Sequence, residues 1–311
     1  MAKNDARHLK DGRQRELVRL FNEACYRNNR WSVWADFVVM AAISISNTVD
    51  KSHAEAREKT YLSLAGKYNK KELECFAMMF AEIVNGMDVN PDQDFLGELY
   101  MALNLGNEHN GQFFTPYDVC RAMAAMSFDD SLDTKIREQG WVSVNDPACG
   151  AGALLIAFAN ECRRPGRNIN YQTSVLFVAQ DIDMIVGCMC YIQLSLLGCP
   201  GYVVIANTLT NPSTSIDSRG LIPVPGEHIW YTPFYFRQEW HWRRLAFQMD
   251  SFLHSLPTTQ DIPSLPEPEH KTEEPEQKKE MKEEKKETPE QKPVEPKQEP
   301  ATNKYGQLMF F

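Results

Sequence analysis

No apolar run in the 311 residues approaches the roughly 20 that a membrane span needs. The stretch Phe37 to Ile45 is too short and gives way to Ser46, Asn47 and Asp50. The opening Met1-Ala-Lys-Asn-Asp-Ala-Arg-His8 is charged and lacks the apolar segment of a secretory signal. The expected location is therefore the cytoplasm, with no membrane partner. Cys-x-x-Cys pairs are also missing. The 8 cysteines, Cys25, Cys75, Cys120, Cys149, Cys162, Cys188, Cys190 and Cys199, complete no zinc pattern with the histidines. Most sit among apolar neighbours, as buried reduced thiols do, and no metal site is expected. An excess of basic charge is lacking too: the net charge is -9. From Pro257 onward 9 Lys face 13 Asp or Glu, a net -4, which leaves 24 basic against 29 acidic residues before it. Phosphate neutralisation is the main source of non-specific DNA affinity, so any grip on DNA must come from a local basic patch or a partner subunit.

Glycine and proline are scarce until Gly86 and Pro91, and apolar residues recur there at helical spacing. Leu17, Leu20, Phe21 and Cys25 share one face; Phe76, Met79, Phe80 and Ile83 share another. The segment Trp31 to Ile45 is apolar on nearly every face, which predicts a buried helix. Residues 1–108 thus read as a helical region. After Gly106 the texture changes. Val142-Ser-Val-Asn-Asp146, Val175-Leu-Phe-Val-Ala-Gln180 and Tyr202-Val-Val-Ile-Ala206 read as strands, with helices over Leu154 to Cys162 and Ile185 to Leu197 between them. Strands alternating with helices at this spacing imply a parallel sheet covered on both faces. Residues 213–256 read as a Pro- and Gly-containing loop, an aromatic-rich extension from Trp230 to Trp242, and a short helix. Pro257 to Lys304 holds Pro, Glu, Lys and Gln with almost nothing apolar, so residues 257–311 are expected to be a disordered tail. The tail ends in the apolar Gly306-Gln-Leu-Met-Phe-Phe311.

The most informative stretch is Asn145-Asp-Pro-Ala-Cys-Gly-Ala-Gly152, between a strand and a helix. Gly150 and Gly152 permit close backbone approach and dihedrals closed to other residues, and the free amides of the following helix would face a ligand. A phosphate loop would carry Lys or a third Gly, and neither is present. The Asp146 carboxylate beside the turn argues instead for a cationic ligand, such as the amino acid moiety of S-adenosylmethionine. Gln180-Asp-Ile-Asp183 ends the next strand, where an acid can reach ribose hydroxyls.

Taken in order, Asp94-Phe-Leu-Gly-Glu-Leu-Tyr100, Gly111-Gln-Phe-Phe-Thr-Pro116, the glycine turn and Ala179-Gln-Asp-Ile-Asp183 resemble the modification subunit of type I restriction systems and its relatives, the adenine-specific DNA methyltransferases. The resemblance covers roughly residues 90 to 212. It implies an α/β fold with a short Rossmann-like core over residues 109–212, S-adenosylmethionine as cofactor, DNA as partner, and a place in a restriction-modification system or mobile element. It also implies that Phe114, Thr115 and Pro116 line the cofactor site, and that Asp146, Pro147, Ala148, Gly150 and Gly152 surround the methionine moiety. Asp181 would hold the ribose, where the family usually has Glu. Asn207 stands where the family usually has Asp near the adenine ring, which exchanges a pure acceptor for an amide.

One family element is missing. The catalytic signature is Asn or Asp, then Pro-Pro, then an aromatic, whose polar groups accept from the target amino group while the ring stacks on the extruded base. Asn211-Pro212 has one proline and no aromatic, and Tyr231-Thr-Pro-Phe234 lacks the amide and the second proline. Asn211 and Pro212 are the candidates that remain, and a specificity or catalytic partner subunit is the alternative source. The noncatalytic reading is an accessory protein of the same fold, binding S-adenosylmethionine or DNA, that serves a mobile element or the replication apparatus and is recruited through its C-terminal peptide. The aromatic run, with Arg237, His241, Arg243 and Arg244 interleaved, suits either base stacking or a cap on the sheet edge. Arg163, Arg164 and Arg167 suit a helix C-terminus or a DNA phosphate. Finally, Gln307, Leu308, Phe310 and Phe311 resemble the peptide by which bacterial DNA-processing proteins dock on the replicative sliding clamp, here at the end of a tether.

Overall fold

The computed structural model describes residues 9, 11–105, 114–167 and 169–255, together with the backbone strand Leu308–Met309. Gly111 to Phe113, the tail from residue 256, and the side chains of the terminal peptide, including Gln307, Phe310 and Phe311, lie outside the described residues.

The chain is a mixed α/β protein. Its first seven helices are α1 (Gly12–Ala24), α2 (Arg30–Val49), α3 (Ala54–Ala65), α4 (Lys70–Val89), α5 (Phe95–Ala102), α6 (Tyr117–Met126) and α7 (Asp130–Gln139). Side chains fix where they start. Asn29 accepts from the Ser32 N–H at 3.1 Å. Asn69 and Glu72 form a reciprocal capping box, and Asp94 accepts from the Gly97 N–H at 3.0 Å. The apolar segment around Phe37 proves to be a 20-residue helix. By length and composition α2 could cross a membrane, yet most of it is buried inside the protein, as suits a core helix. Trp34, in its second turn, is fully buried among the rings of Phe21, Phe37 and Tyr100.

Then strands and helices alternate: β1 (Val142–Asp146), α8 (Ala153–Cys162), α9 (Tyr171–Ser174), β2 (Val175–Asp181), α10 (Met184–Leu196) and β3 (Gly201–Ile205). β4 (Ile229–Tyr231), a 3-10 turn over Pro233–Phe236 and α11 (Gln238–Ser255) follow, and β5 is Leu308–Met309. The sheet order is β4-β3-β2-β1-β5. β1, β2 and β3 are parallel, with Asp146 opposite Ala179 and Asp181 opposite Ile205, so their carboxyl ends lie along one rim. β4 closes one side antiparallel to β3. β1, β2 and β3 are buried almost throughout, as expected of strands covered on both faces. Val144, Phe177, Ala179 and Val203 join one hydrophobic cluster with α2, α8 and α10. The opposite face lies under the loop after β3: Tyr202 donates to the Gly220 carbonyl at 2.8 Å, and Asp217 folds that loop by accepting from the amides of Arg219, Leu221 and Ile222.

A buried ion pair fastens β4 to the helices. Arg57 donates to Asp50 at 2.8 Å and to the Ile229 carbonyl at 2.6 Å, bonds Ser46, and lies 4.0 Å over the Trp230 ring. Burial alone would raise the Asp50 carboxyl, but Ser52, His53 and Arg57 bring it below the usual range. The unit that contains this core runs to Leu245 and includes Leu308 and Met309; Ala246–Glu299 forms a second unit, whose described part is the end of α11. All eight cysteines are unpaired, and seven are buried.

Candidate cofactor site

The turn after β1 is held from several sides. Gly150 and Gly152 have φ of +55° and +93°, the left-handed region that an L side chain rarely enters. At Gly152 a Cβ would also fall 2.8 Å from the Cys190 sulfur, so the turn presses directly on α10. At Gly150 a Cβ would meet only the Phe114 ring, at an ordinary 3.5 Å. The Gly150 N–H donates to Asp181 Oδ2 at 3.0 Å, the Cys149 N–H to the Gln180 carbonyl at 2.9 Å, and the Ala148 N–H to Asp146 Oδ1 at 3.2 Å. Gln193, fully buried on α10, donates to the Ala151 carbonyl and to Asp94, each at 2.8 Å, and accepts from the Leu96 N–H at 3.0 Å. One amide therefore locks the glycine turn to the start of α5.

Beside the turn is a cavity of about 220 Å³. Its wall contains Phe114, Thr115, Asp146, Ala148 and Gly150, together with Asp94 and Leu154. A larger groove of about 890 Å³ shares Asp94, Phe114 and Thr115 and adds Pro116. The Phe114 ring is stacked on Tyr100, 5.4 Å between centroids. Pro147, Gly152, Asp181 and Asn207 are not on the wall of the smaller cavity. Gly152 is behind the turn, against Cys190. Pro147 is held by Thr208, which donates to its carbonyl at 2.5 Å. Asp181 accepts from the Gly150 and Asp183 amides. Asn207 is exposed and its side chain accepts from the Leu209 N–H at 2.9 Å.

The cavity is electrostatically lopsided. Burial pushes the Asp146 carboxyl up to about 6, with the nearby Asp181 adding to the shift and the Ala148 N–H opposing it. Burial likewise pushes Asp94 up to about 6, against hydrogen bonds from Gln193 and Gly97. Among the described residues, no Lys, Arg or His lines the cavity. Two buried carboxylates without a cation are costly unless something positive joins them. Cys149, on the same wall, is held well above its ordinary value by its contact with Cys190 and by burial, so it is a protonated thiol rather than a nucleophile.

Residues 92–243 match the family described as N-6 DNA Methylase. Residues 92–243 thus form an N-6 DNA methylase region. No curated protein and no solved structure matches the chain. The methylase span begins two residues before Asp94 and ends within α11. It thus takes in the aromatic segment, which the sequence resemblance left outside.

Within this methylase region that segment is spent on structure. Trp240 is fully buried against Trp141 and donates to the Gln172 carbonyl at 3.0 Å. Arg243 lies over Trp240, Arg244 over Tyr235 and Arg237 over Phe234. Trp230, Tyr235 and Trp240 are buried against the sheet and its flanks, whereas Phe236 and Trp242 are exposed, and His241 is exposed beside Trp242. Arg164 and Arg167 pair with the buried Glu161, at the end of α8 away from the glycine turn. Asn211 is half-buried, and its carbonyl already accepts from Gln180 at 2.9 Å. Asp94 and Gln193 were not anticipated as site residues. Asp94 had a signal, a capping residue three before Gly97. Gln193 showed only as an amide in an otherwise apolar helix.

Proposed function

We propose that the cavity between Asp94, Phe114 and Asp146 binds S-adenosylmethionine, and that the chain serves the transfer of its methyl group to the adenine amino group of DNA inside the cell. The observation that carries this reading is a pair of buried carboxylates, without a counter-cation, beside a glycine turn at the carboxyl ends of parallel strands. Ligands of Rossmann-like sheets sit at that rim, and a methylase domain needs a cationic donor there.

When bound, the cofactor supplies an electrophilic methyl group on a sulfonium. Asp146 accepts from the ammonium, and Asp94 adds negative potential from the opposite wall. The Gly150 backbone and the start of α8, both on the cavity wall, leave room for the carboxylate end. Phe114, backed by Tyr100, is the flat apolar wall; Thr115 and Pro116 continue it into the larger groove. A volume of about 220 Å³ is below the roughly 300–1,000 Å³ of complete small-molecule sites, so the small cavity takes one end of the ligand, and the rest would extend along the rim toward Asp181 and Asn207. Asp181 holds the turn and keeps acceptor capacity for a ribose hydroxyl. Exposed Asn207 borders the adenine.

The acceptor for the target amino group is the open part of this reading. Asn211 offers a carbonyl already engaged by Gln180, and Arg164, Arg167, Arg237, Arg243 and Arg244 are stacked or paired. A partner subunit is therefore proposed to supply the base-binding groups and much of the DNA affinity. Calorimetry with S-adenosylmethionine, followed by mass spectrometry for N6-methyladenine in mixed-sequence DNA with and without host extract, tests both halves. Binding that Asp146→Asn weakens more than tenfold, with methylated DNA formed, is the expected result. Absence of binding would defeat the cofactor reading. Binding without transfer in either condition would leave an accessory role for the same fold.

A further inference from the structure

The parallel strands run outward from β1 in one direction only: β2, then β3. In doubly wound sheets the first strand is central, the sheet continues on both of its sides, and the ligand crevice opens where the order reverses. Here the outer side of β1 is that place. Among the described residues, its one neighbour is the two-residue β5, parallel and in register, with Leu308 opposite Val144 and Met309 opposite Asn145. An unpaired β1 edge would present a row of free N–H and C=O groups, an invitation to any extended segment. A second observation falls on the same residues. Asn145, 5% exposed, has its Oδ1 buried without a hydrogen-bond partner. The strand position opposite Met309 thus carries an unmet side-chain acceptor beside its short backbone pairing. One residue further along β1 stands Asp146, on the wall of the cavity.

We propose that the outer edge of β1 is a strand-docking site, and that its occupant is the chain's own C-terminal segment around Leu308 and Met309, acting as a displaceable cap beside the cavity. The 52 residues between Ser255 and Leu308 can span on the order of 170 Å when extended, more than enough to reach the edge. A two-residue pairing is short, so the cap can be exchanged. Strand docking through Leu308 and Met309 and capture of the same two residues by a partner exclude one another. The proposal concerns strand pairing alone and stands whether or not the cavity binds S-adenosylmethionine.

Hydrogen–deuterium exchange tests it on three proteins: the full chain, a chain ending at Tyr305, and the full chain with Met309→Pro, which lacks the backbone donor. The peptide covering β1 is read against the one covering β3 as an internal reference. The truncated and Met309→Pro proteins are expected to exchange β1 amides at least tenfold faster, with β3 unchanged. Adding the free peptide Gly-Gln-Leu-Met-Phe-Phe at millimolar concentration should restore slow exchange in the truncated chain. Equal β1 exchange in all three proteins overturns the proposal. So does faster exchange shared equally by β3, which would mark general destabilisation, and so does failure of the added peptide to restore protection. Protection that grows with protein concentration assigns the edge to a second copy and overturns it as well.

Discussion

The backbone N–H of Gly150 donates to Oδ2 of Asp181 across 3.0 Å, while the other carboxylate oxygen accepts from the Asp183 N–H at 2.9 Å. The end of β2 is in this way tied to the turn after β1. An amide at position 181 keeps one acceptor and turns a donor toward one of the two N–H groups. Asp181→Asn should therefore destabilise the fold by about 1–3 kcal/mol, the usual consequence of leaving a buried donor unpaired. It should also weaken S-adenosylmethionine more than tenfold by releasing the turn. Urea unfolding and calorimetry measure the two effects. An unchanged midpoint would mean that the bond does not hold the turn.

The raised carboxyls of Asp146 and Asp94, both at about 6, fix the sign of two pH effects. A folded value above the unfolded one means that the folded state holds its protons longer. Each group's contribution to stability is then complete below about pH 4 and is lost as pH rises through about 6. A cationic ligand does the reverse: it binds the ionised pair, so its affinity should climb up to about pH 6 and level off above about 7. Asp146→Asn keeps the oxygen that accepts from Ala148 and removes the buried charge. At pH 8 the unliganded variant should be more stable than the parent by about 1–3 kcal/mol, even as its ligand affinity falls. Scanning calorimetry and titrations from pH 5 to 8 check both signs. A less stable Asp146→Asn protein would show that the carboxylate is already neutralised by something else.

What could be read from the residues alone was local. The helical spacing of Leu17, Leu20 and Phe21 falls in α1, and the three parallel strands stand where their apolar runs predicted them. The glycine turn is recognisable because its two positive-φ positions demand glycine. Relationships set by distance in the chain were hidden. The Gln193–Asp94 bond joins residues 99 apart, and no spacing rule connects them. β4 is three residues long and hid among aromatics whose pattern fits a strand no better than a loop. α3 fully buries only Arg57 and rests Tyr61, Leu64 and Ala65 half-buried on the core, so its apolar face is faint in the sequence and a buried ion pair helps fix its place.

Gly152 and Gly150 should differ in how they tolerate a methyl group. Both have positive φ, so alanine strains either one by about 1 kcal/mol or more. Only at Gly152 does the new Cβ also fall 2.8 Å from the Cys190 sulfur. Gly152→Ala should therefore be the more destabilising, by a further 1–3 kcal/mol or so from overpacking. Shortening the neighbour should return part of that difference: Gly152→Ala with Cys190→Ala is expected to be more stable than the sum of the two single changes. Chemical denaturation of the double-mutant cycle reads the coupling directly. Simple additivity would mean that the backbone, and not the sulfur, sets the limit.

The Arg57–Asp50 pair gives the last prediction, because the two ways of removing it differ. Asp50 is 2% exposed, and its Oδ2 takes the 2.8 Å bond from Arg57. Arg57→Met leaves that carboxylate buried without its cation and frees the Ile229 carbonyl, which should cost about 3–5 kcal/mol. Pairing it with Asp50→Asn removes the stranded charge while keeping one carbonyl acceptor for Ser52 or His53. The double variant should recover at least half of the loss, since replacing a buried pair outright is often close to neutral. The readout is the urea midpoint, with exchange at β4 as a local reporter, because Arg57 is what fastens that strand to α2 and α3. Ligand affinity should stay within twofold of the parent in the double variant, as neither residue lines the cavity. If the single and double variants were equally unstable, the loss would come from the Arg57 contacts with Trp230 and Ile229 rather than from an unpaired Asp50.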